Sequence, residues 1–440
     1  MGMPGPTSSR FDPDGSPGRD FCDEGSHDWI DIREAREVVL NEARPLRRAE
    51  TIEVVEASGR LLAEQVLAGV DLPPFDRVMM DGFAVRAQDI ADAPVTLPVM
   101  GEVAAGAAGE APLLPGTARA IMTGAPLPPG ADAVVPVEWT RVMDVPGDVP
   151  GDVPGATGSV CIERSVPAGK HVAPRGQDLT VGKPIALEDS RIGPLGLSLL
   201  VSSGVGSVSV RARPRVALLT SGDELVPPGA PLRRGQIHES NGPALRSLFG
   251  KLDVEVVSLG VAKDTREDLT ALVERALECD VVVLTGGSSV GRYDYSAEVV
   301  ESFGAKRHFD RLSVKPGKPT LFYTCRDSLV FCLPGNPVAA MMTARVLVCP
   351  ALHRMAGHEV HPWTPLEAKL ASPVRRNAAR DMLIPVREEG ATVVFDGWHG
   401  SADLVSMNQA DAFAFVARGE GTAEVGTCTD VFPLSRGVCW

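Results

Sequence analysis

From Arg213 onward the chain alternates between short β-branched runs and amphipathic stretches, a rhythm that few architectures accept. RVALLTSG reads as a strand and turn, PALRSLFGKL as a helix, VEVVSLGVA as a strand and DTREDLTALVERAL as a helix. VVVLTGG is the next strand, SAEVVESFG a helix, and KPTLFYT and SLVFCLPG two further strands. Asn336 then opens a long helix, PVAAMMTARVLVCPALHRM. Alternation at this spacing calls for a doubly wound, mostly parallel α/β sheet with helices on both faces. Ligands of such sheets bind beyond the carboxyl ends of the strands.

Several chemically suggestive features fall at those ends. After the buried-strand run Val281–Leu284 comes Thr285-Gly286-Gly287-Ser288-Ser289-Val290-Gly291, with Asp294 three residues later. Gly286, Gly287 and Gly291 let backbone N–H groups approach an anion, Ser289 adds a hydroxyl, and a following helix adds its positive end. A lone pair of glycines is more often an ordinary tight turn, but this one has company. SGDEL offers Asp223 and Glu224, and LPGNP offers Pro334, Gly335 and Asn336. Between the two lies VKPGKP, with Lys315 and Lys318 held by prolines and suited to phosphate oxygens. Glu224, Asp264 and Asp294 would repel one another and a phosphate unless a cation sat between them. Mg²⁺ prefers one or two carboxylates plus phosphate oxygens and waters. Asp264 also reads as the N-cap of its helix, with Glu267 an acid in the first turn, and both roles stand open.

The rest of the chain is organised differently. Residues 1–28 are rich in Pro, Gly, Ser and Asp and read as a disordered tail. An amphipathic helix follows from Asp31 to before Pro45, then a strand at Thr51–Val55 and a short helix at Arg60–Val66. Residues 29–70 pair with 176–212 as a discontinuous helical and linker domain, in which Leu179–Ser203 has helical spacing. Residues 71–175 form an inserted β-rich domain of short runs punctuated by Gly and Pro. Inside it, Asp144–Gly155 repeats DVPG three times, a tolerated loop insertion. Residues 213–358 are the α/β domain. After Pro362 the helical signal disappears, and 359–440 read as a C-terminal β-barrel.

Composition excludes whole classes of function. Of 440 residues, 44% are hydrophobic and 23% charged, as in a soluble globular protein of several domains. A formal net charge of -14 argues against general nucleic-acid binding, and 5% aromatics leave little for stacking single strands. The eight cysteines form no CxxC pair, so zinc and redox motifs are absent, and Cys279, Cys332 and Cys349 read as reduced core thiols of a cytoplasmic protein. No secretory h-region and no run of about 18 apolar residues is present, so no membrane span is expected. The residues alone therefore describe a cleft for a phosphate-bearing anion with Mg²⁺.

Taken together, PPFDRVMMDGFA, IMTGAPLPPGADAVVPVE, SGDEL, Ser240-Asn241, TGGSSVGRYDY, KPGKP and LPGNP stand in the order seen in molybdopterin molybdenumtransferases. The chain resembles that family, which includes the E domain of gephyrin, from about residue 30 onward. The resemblance implies insertion of molybdate into adenylylated molybdopterin, with release of AMP and help from Mg²⁺. It implies a homodimer whose cleft joins the α/β domain of one subunit to the β-rich domain of the other. Molybdopterin adenylyltransferase and apo-molybdoenzymes are the protein partners it implies.

Carried over position by position, the functional residues are Asp81, Thr123, Glu224, Asp264, Asp294, Lys315, Pro334 and Pro337, with Ser401 in HGSADL. Val78 and Met79 replace a Ser-Ala pair, Phe83 a tyrosine, Arg311 a lysine and Pro385 an arginine; these bear on molybdate against tungstate. Two rivals remain. An adenylyltransferase would need only the α/β part, and a non-catalytic gephyrin-like scaffold would find no second folded module here.

Overall fold

A computed structural model describes residues 29–106, 111–143, 157–286, 295–360 and 365–434. The expected tail, the DVPG repeat and the loop residues Gly287, Ser289, Gly291 and Asp294 lie outside them. The chain divides into two compact units, Met1–Arg44 with Pro214–Trp440, and Pro45–Arg213.

The first unit opens with helix α1 (Ile32–Glu42), capped by Asp31, whose side chain accepts from Arg33 N. Ile32, Ala35, Val39 and Leu40 form its buried stripe. The alternating segment then runs β1 (Arg215–Ser221), α2 (Asn241–Phe249), β2 (Glu255–Ala262), α3 (Arg266–Ala276), β3 (Val281–Thr285), α4 (Ser296–Ser302), β4 (Lys306–Phe309), β5 (Leu321–Cys325), β6 (Ser328–Leu333), α5 (Pro337–Thr343) and α6 (Cys349–Met355). The sheet order is β2-β1-β3-β6-β5-β4. Pairing is parallel among the first four strands and antiparallel at β5 and β4. Every residue of β3 and β6 is buried, which is why these strands read as unbroken apolar runs. Because β1 lies between β2 and β3, the strand order reverses at the β1/β3 boundary, where open sheets of this kind place a ligand.

Five further strands close into a barrel: β7 (Leu366–Leu370), β8 (Asp381–Glu389), β9 (Thr392–Val394), β10 (Ala412–Val416) and β11 (Cys428–Pro433). The ring runs β8-β9-β7-β11-β10 and back to β8. Its core is Leu370, Ile384, Val386, Val393, Ala414 and Val431 with their neighbours. Helix α7 (Leu404–Gln409) corrects the expectation that helices end before Pro362; Asp403 caps it by accepting from Ser406 N.

In the second unit a six-stranded sheet joins Ala133–Pro136, Gly82–Val85, Ala118–Ile121, Val95–Val103, Ser159–Ile162 and Thr140–Met143 in that order. Apolar clusters around Phe83, Val85 and Val160 and around Val78, Ala84 and Val134 cover its faces. The helix expected at Arg60–Val66 is not formed. Leu61 and Leu62 instead make isolated β-bridges to Arg191 and Val210, with Leu62 fully buried. Between Leu179 and Ser203 the helix is confined to Pro194–Ser202, because Pro184–Ala186 pairs with Val66–Leu67 as strand. Among the described residues no helix is long and apolar enough to cross a membrane.

Candidate functional site

The ends of β1 and β3 are joined by a contact that only glycine permits. A Cβ on Gly286 would sit 2.2 Å from the Ser221 carbonyl oxygen, and its φ is +88°. Both facts demand the absent side chain. Gly335, at the end of β6, lies against the Gly286 backbone, where its own Cβ would be 3.5 Å from Gly286 Cα. Asn241 closes the arrangement by donating Nδ2–H to Gly335 O at 2.8 Å from the first residue of α2.

The carboxylates gather on β1's end. Ser221 Oγ donates to Asp264 Oδ1 at 2.6 Å, and Asp223 N donates to Asp264 Oδ2 at 3.2 Å. Asp264 N donates in return to Asp223 Oδ1 at 3.2 Å. The N-cap expected of Asp264 belongs to Thr265, whose extended backbone puts its hydroxyl 3.3 Å from Asp268 N. Asp264 is thereby left to tie β2's end to β1's. Glu224 folds back over Gly222, where a Cβ would meet Glu224 Oε2 at 2.8 Å. Glu224 and Asp264 thus share one strand end. No cluster of three or more potential metal ligands occurs among the described residues.

The LPGNP turn is anchored to the barrel. Pro337 begins α5 after Asn336, whose side chain makes no cap and donates Nδ2–H to Ser401 Oγ at 2.8 Å. Val338 N donates to Ser401 O at 3.1 Å. Pro334 is buried, while Gly335 and Asn336 are exposed. Beyond Ser401, the Asp403 carboxylate accepts from His399 N, the His399 ring, Ser406 N and Ser406 Oγ, the hydroxyl being the largest cause of its strongly lowered pKa.

KPGKP is tied to the same barrel. Val314 and Lys315 pair in parallel with Asp381 and Met382 of β8, and Arg418 donates a guanidinium N–H to Ser313 Oγ at 3.2 Å. Lys315 is exposed next to the buried Pro316. Lys318 differs: its Nζ lies 4.4 Å from the centre of the Trp29 ring, a cation–π contact.

Asp81 and Thr123 meet in the second unit. Thr123 N and Thr123 Oγ1 both donate to Asp81 Oδ1 at 2.7 Å. The backbone N–H is the larger cause, and the hydroxyl the second, of a carboxyl held below its ordinary range. Gly82 lets this turn enter the sheet, since a Cβ there would sit 2.0 Å from Val135 O. Val78 and Phe83 are core residues, 1% and 7% exposed. Pro385 pairs with Phe413 inside the barrel wall.

Sequence reasoning missed Ser221 and Asn241 as partners within the site, and named Asp223 without its contact to Asp264. Ser240-Asn241 was visible as a motif, but its contact with Gly335 spans 94 residues. No local signal points to Ser221.

This strand-end site on a doubly wound sheet, locked to a barrel, coincides with a known assembly of domains. Residues 30–204 match the MoeA N-terminal region (domain I and II), 217–354 a probable molybdopterin binding domain, and 367–434 the MoeA C-terminal region (domain IV). A molybdopterin molybdenumtransferase of Synechococcus elongatus is 34% identical over 91% of this chain and 98% of its own. One from Haemophilus influenzae is 28% identical over 92% and 99%. Two structures of the molybdopterin biosynthesis MoeA protein from Pyrococcus horikoshii superimpose with TM-scores of 0.74 and 0.66, at 32% and 26% identity. They cover 94% and 92% of this chain, and this chain matches 100% of each. The chain belongs to the molybdopterin molybdenumtransferase family.

Proposed function

We propose that this chain completes molybdenum cofactor biosynthesis by inserting molybdate into adenylylated molybdopterin and releasing AMP. The observation that carries the reading is the joint at the strand ends. Gly286 packs on Ser221, Asn241 holds Gly335, and Asn336 holds Ser401. The strand ends of the α/β sheet and the barrel are thereby tied together at one place, as a substrate with a phosphate end and a separate metal-accepting end requires.

In this reading the backbone of Gly286, Gly287 and Gly291, with Ser289, cradles phosphate, and Lys315 offsets its charge. Pro334, Gly335, Asn336, Pro337 and Ser401 shape the barrel side, and Lys318 contributes from its seat on Trp29. Glu224 and Asp264, with Asp294, fit Mg²⁺, which asks for one or two carboxylates beside phosphate oxygens. Bound there, the ion would draw charge from the phosphoanhydride. Asp264 is held in place for this by Ser221 and Asp223. We further propose a cytoplasmic homodimer in which the Asp81–Thr123 turn of one subunit completes the cleft of the other; light scattering tests the dimer.

Purified protein given adenylylated molybdopterin, molybdate and Mg²⁺ is expected to release AMP and to yield cofactor that reconstitutes an apo-molybdoenzyme. Asp294→Ala and Lys315→Ala are expected to lower the rate by about 100-fold, the scale of losing one preorganised charge contact. An unchanged rate in both would reject the assigned site. Consumption of ATP with molybdopterin alone would point to the adenylyltransferase instead.

A further inference from the structure

The two lysines of KPGKP sit differently. Lys315 is exposed, whereas Lys318 is half-buried and its Nζ lies 4.4 Å from the centre of the Trp29 ring. The backbones of Trp29 and Lys318 are tied as closely as their side chains. Ile30, next to Trp29, bridges in parallel to Leu312, with Ile30 N donating to Arg311 O at 3.2 Å and Ser313 N to Ile30 O at 2.9 Å. Leu312 N in turn donates to Lys318 O at 3.0 Å, and Thr320 N donates to the same oxygen at 2.9 Å. From Trp29 the circuit runs through Ile30, Leu312 and Lys318 and closes on the indole ring. All of it lies within the first unit.

Tryptophan carries a penalty at this position. Its indole N–H is buried and has no hydrogen-bond partner among the described residues. A buried donor left unpaired is destabilising, and phenylalanine would fill the seat with no donor to satisfy. What tryptophan has over phenylalanine is the stronger attraction of its ring for a cation. The cation on that ring is Lys318, and among the described residues no carboxylate or carbonyl pairs with its ammonium. The ring takes one side of the ammonium, so N–H donors remain for another partner.

We infer that Trp29 is a positioning residue, holding the Lys318 ammonium ready for the phosphate oxygens of the substrate. The inference rests on the reading above, in which Lys318 serves the phosphate-bearing ligand. Lysine brings a flexible four-carbon stem, and fixing it only when the ligand arrives would cost binding free energy. Seated on a ring whose own backbone is anchored to the same turn, the ammonium has lost that freedom beforehand. Lys315, exposed and with no ring beneath it among the described residues, supplies charge without a fixed place.

Inorganic pyrophosphate, titrated calorimetrically into the full chain, reports the affinity for linked phosphates. Trp29→Leu is expected to weaken it about fivefold, the scale of one cation–π contact, and Trp29→Phe to restore most of the loss. In the reaction, Trp29→Leu is expected to raise KM for adenylylated molybdopterin by a similar factor and to leave kcat unchanged. Reductive methylation with ¹³C keeps the lysine charge and gives Lys318 a methyl resonance, identified by its absence from Lys318→Arg. The ring current of Trp29 is expected to place that resonance upfield. Trp29→Leu should return it to the ordinary lysine position, and Trp29→Phe should leave it displaced. A loss of packing alone would not move resonance and affinity together and bring both back with phenylalanine. A wild-type resonance at the ordinary position, or Trp29→Leu binding pyrophosphate as wild type does, would overturn the positioning. So would a wild type that binds no pyrophosphate, or Lys318→Gln that binds it unchanged. AMP release by the wild type is measured alongside. If AMP is released and the Trp29 variants are indifferent, the positioning alone falls. If no AMP is released while Lys318→Gln and Trp29→Leu both weaken pyrophosphate, only the assigned reaction falls.

Discussion

Asp264 and Asp81 are each held by the same kind of donor pair, a hydroxyl and a backbone N–H, but toward different ends. Asp81 takes both on one oxygen, from Thr123 N and Thr123 Oγ1. Asp264 takes one on each oxygen, from Ser221 Oγ and from Asp223 N. The second arrangement fixes the plane of the carboxylate and ties the ends of β1 and β2 together. The first pins the group at a single atom and, among the described residues, gives Oδ2 no hydrogen bond. A carboxylate fixed in plane is preorganised for a ligand inside its own sheet. One pinned at a single atom suits a ligand that arrives from elsewhere, as the proposed dimer requires.

The largest expected effect tests whether the strand ends are joined as tightly as this contrast assumes. Gly286→Ala would drive a Cβ to 2.2 Å from the Ser221 carbonyl at a φ of +88°. The backbone has to move, and a loss of about 3 kcal/mol or more in urea unfolding is expected, with AMP release abolished. A variant as stable as wild type would show that the β1/β3 junction is slack, and the contrast with Asp81 would go with it.

Next comes a direct comparison of the two carboxylates. Asp264→Asn keeps an oxygen for Ser221 but removes the charge, and about a 100-fold fall in kcat is expected. Asp81→Asn keeps the Thr123 contacts through its remaining oxygen, and about a tenfold fall is expected. If Asp81→Asn proved the more damaging, the carboxylate pinned at one atom rather than the one fixed in plane would carry the larger share of the chemistry.

How much of this was readable in the chain depends on how local the cause is. The α/β sheet and the helix from Asp31 follow from periodicity within a dozen residues, and the structure has them. The helix expected at Arg60–Val66 failed because Leu61 and Leu62 found strand partners more than a hundred residues away. Asp264 was ambiguous for the same reason: its local alternative was a cap, and its actual partner Ser221 lies 43 residues back.

The smallest effect is the most specific to Asp81. Its folded-state pKa is lowered, chiefly by Thr123 N and secondly by the Thr123 hydroxyl. The sign follows: this contribution to stability is present above the unfolded-state pKa and is lost as pH falls through the lower folded-state value. Thr123→Val removes the lesser cause and keeps the greater. The Asp81 titration followed by carboxyl-carbon NMR is therefore expected to move up but to stay below that of an ordinary aspartate. Since the side chain is exposed, unfolding free energy at neutral pH is expected to stay close to that of the wild type. The acid limb of AMP release should shift upward by the same interval as the NMR titration. A limb that stays in place while the titration moves would mean that Asp81's ionisation does not limit the reaction. The exposed carboxylate would then be a positional contact, and the difference between it and Asp264 would be one of chemistry as well as of geometry.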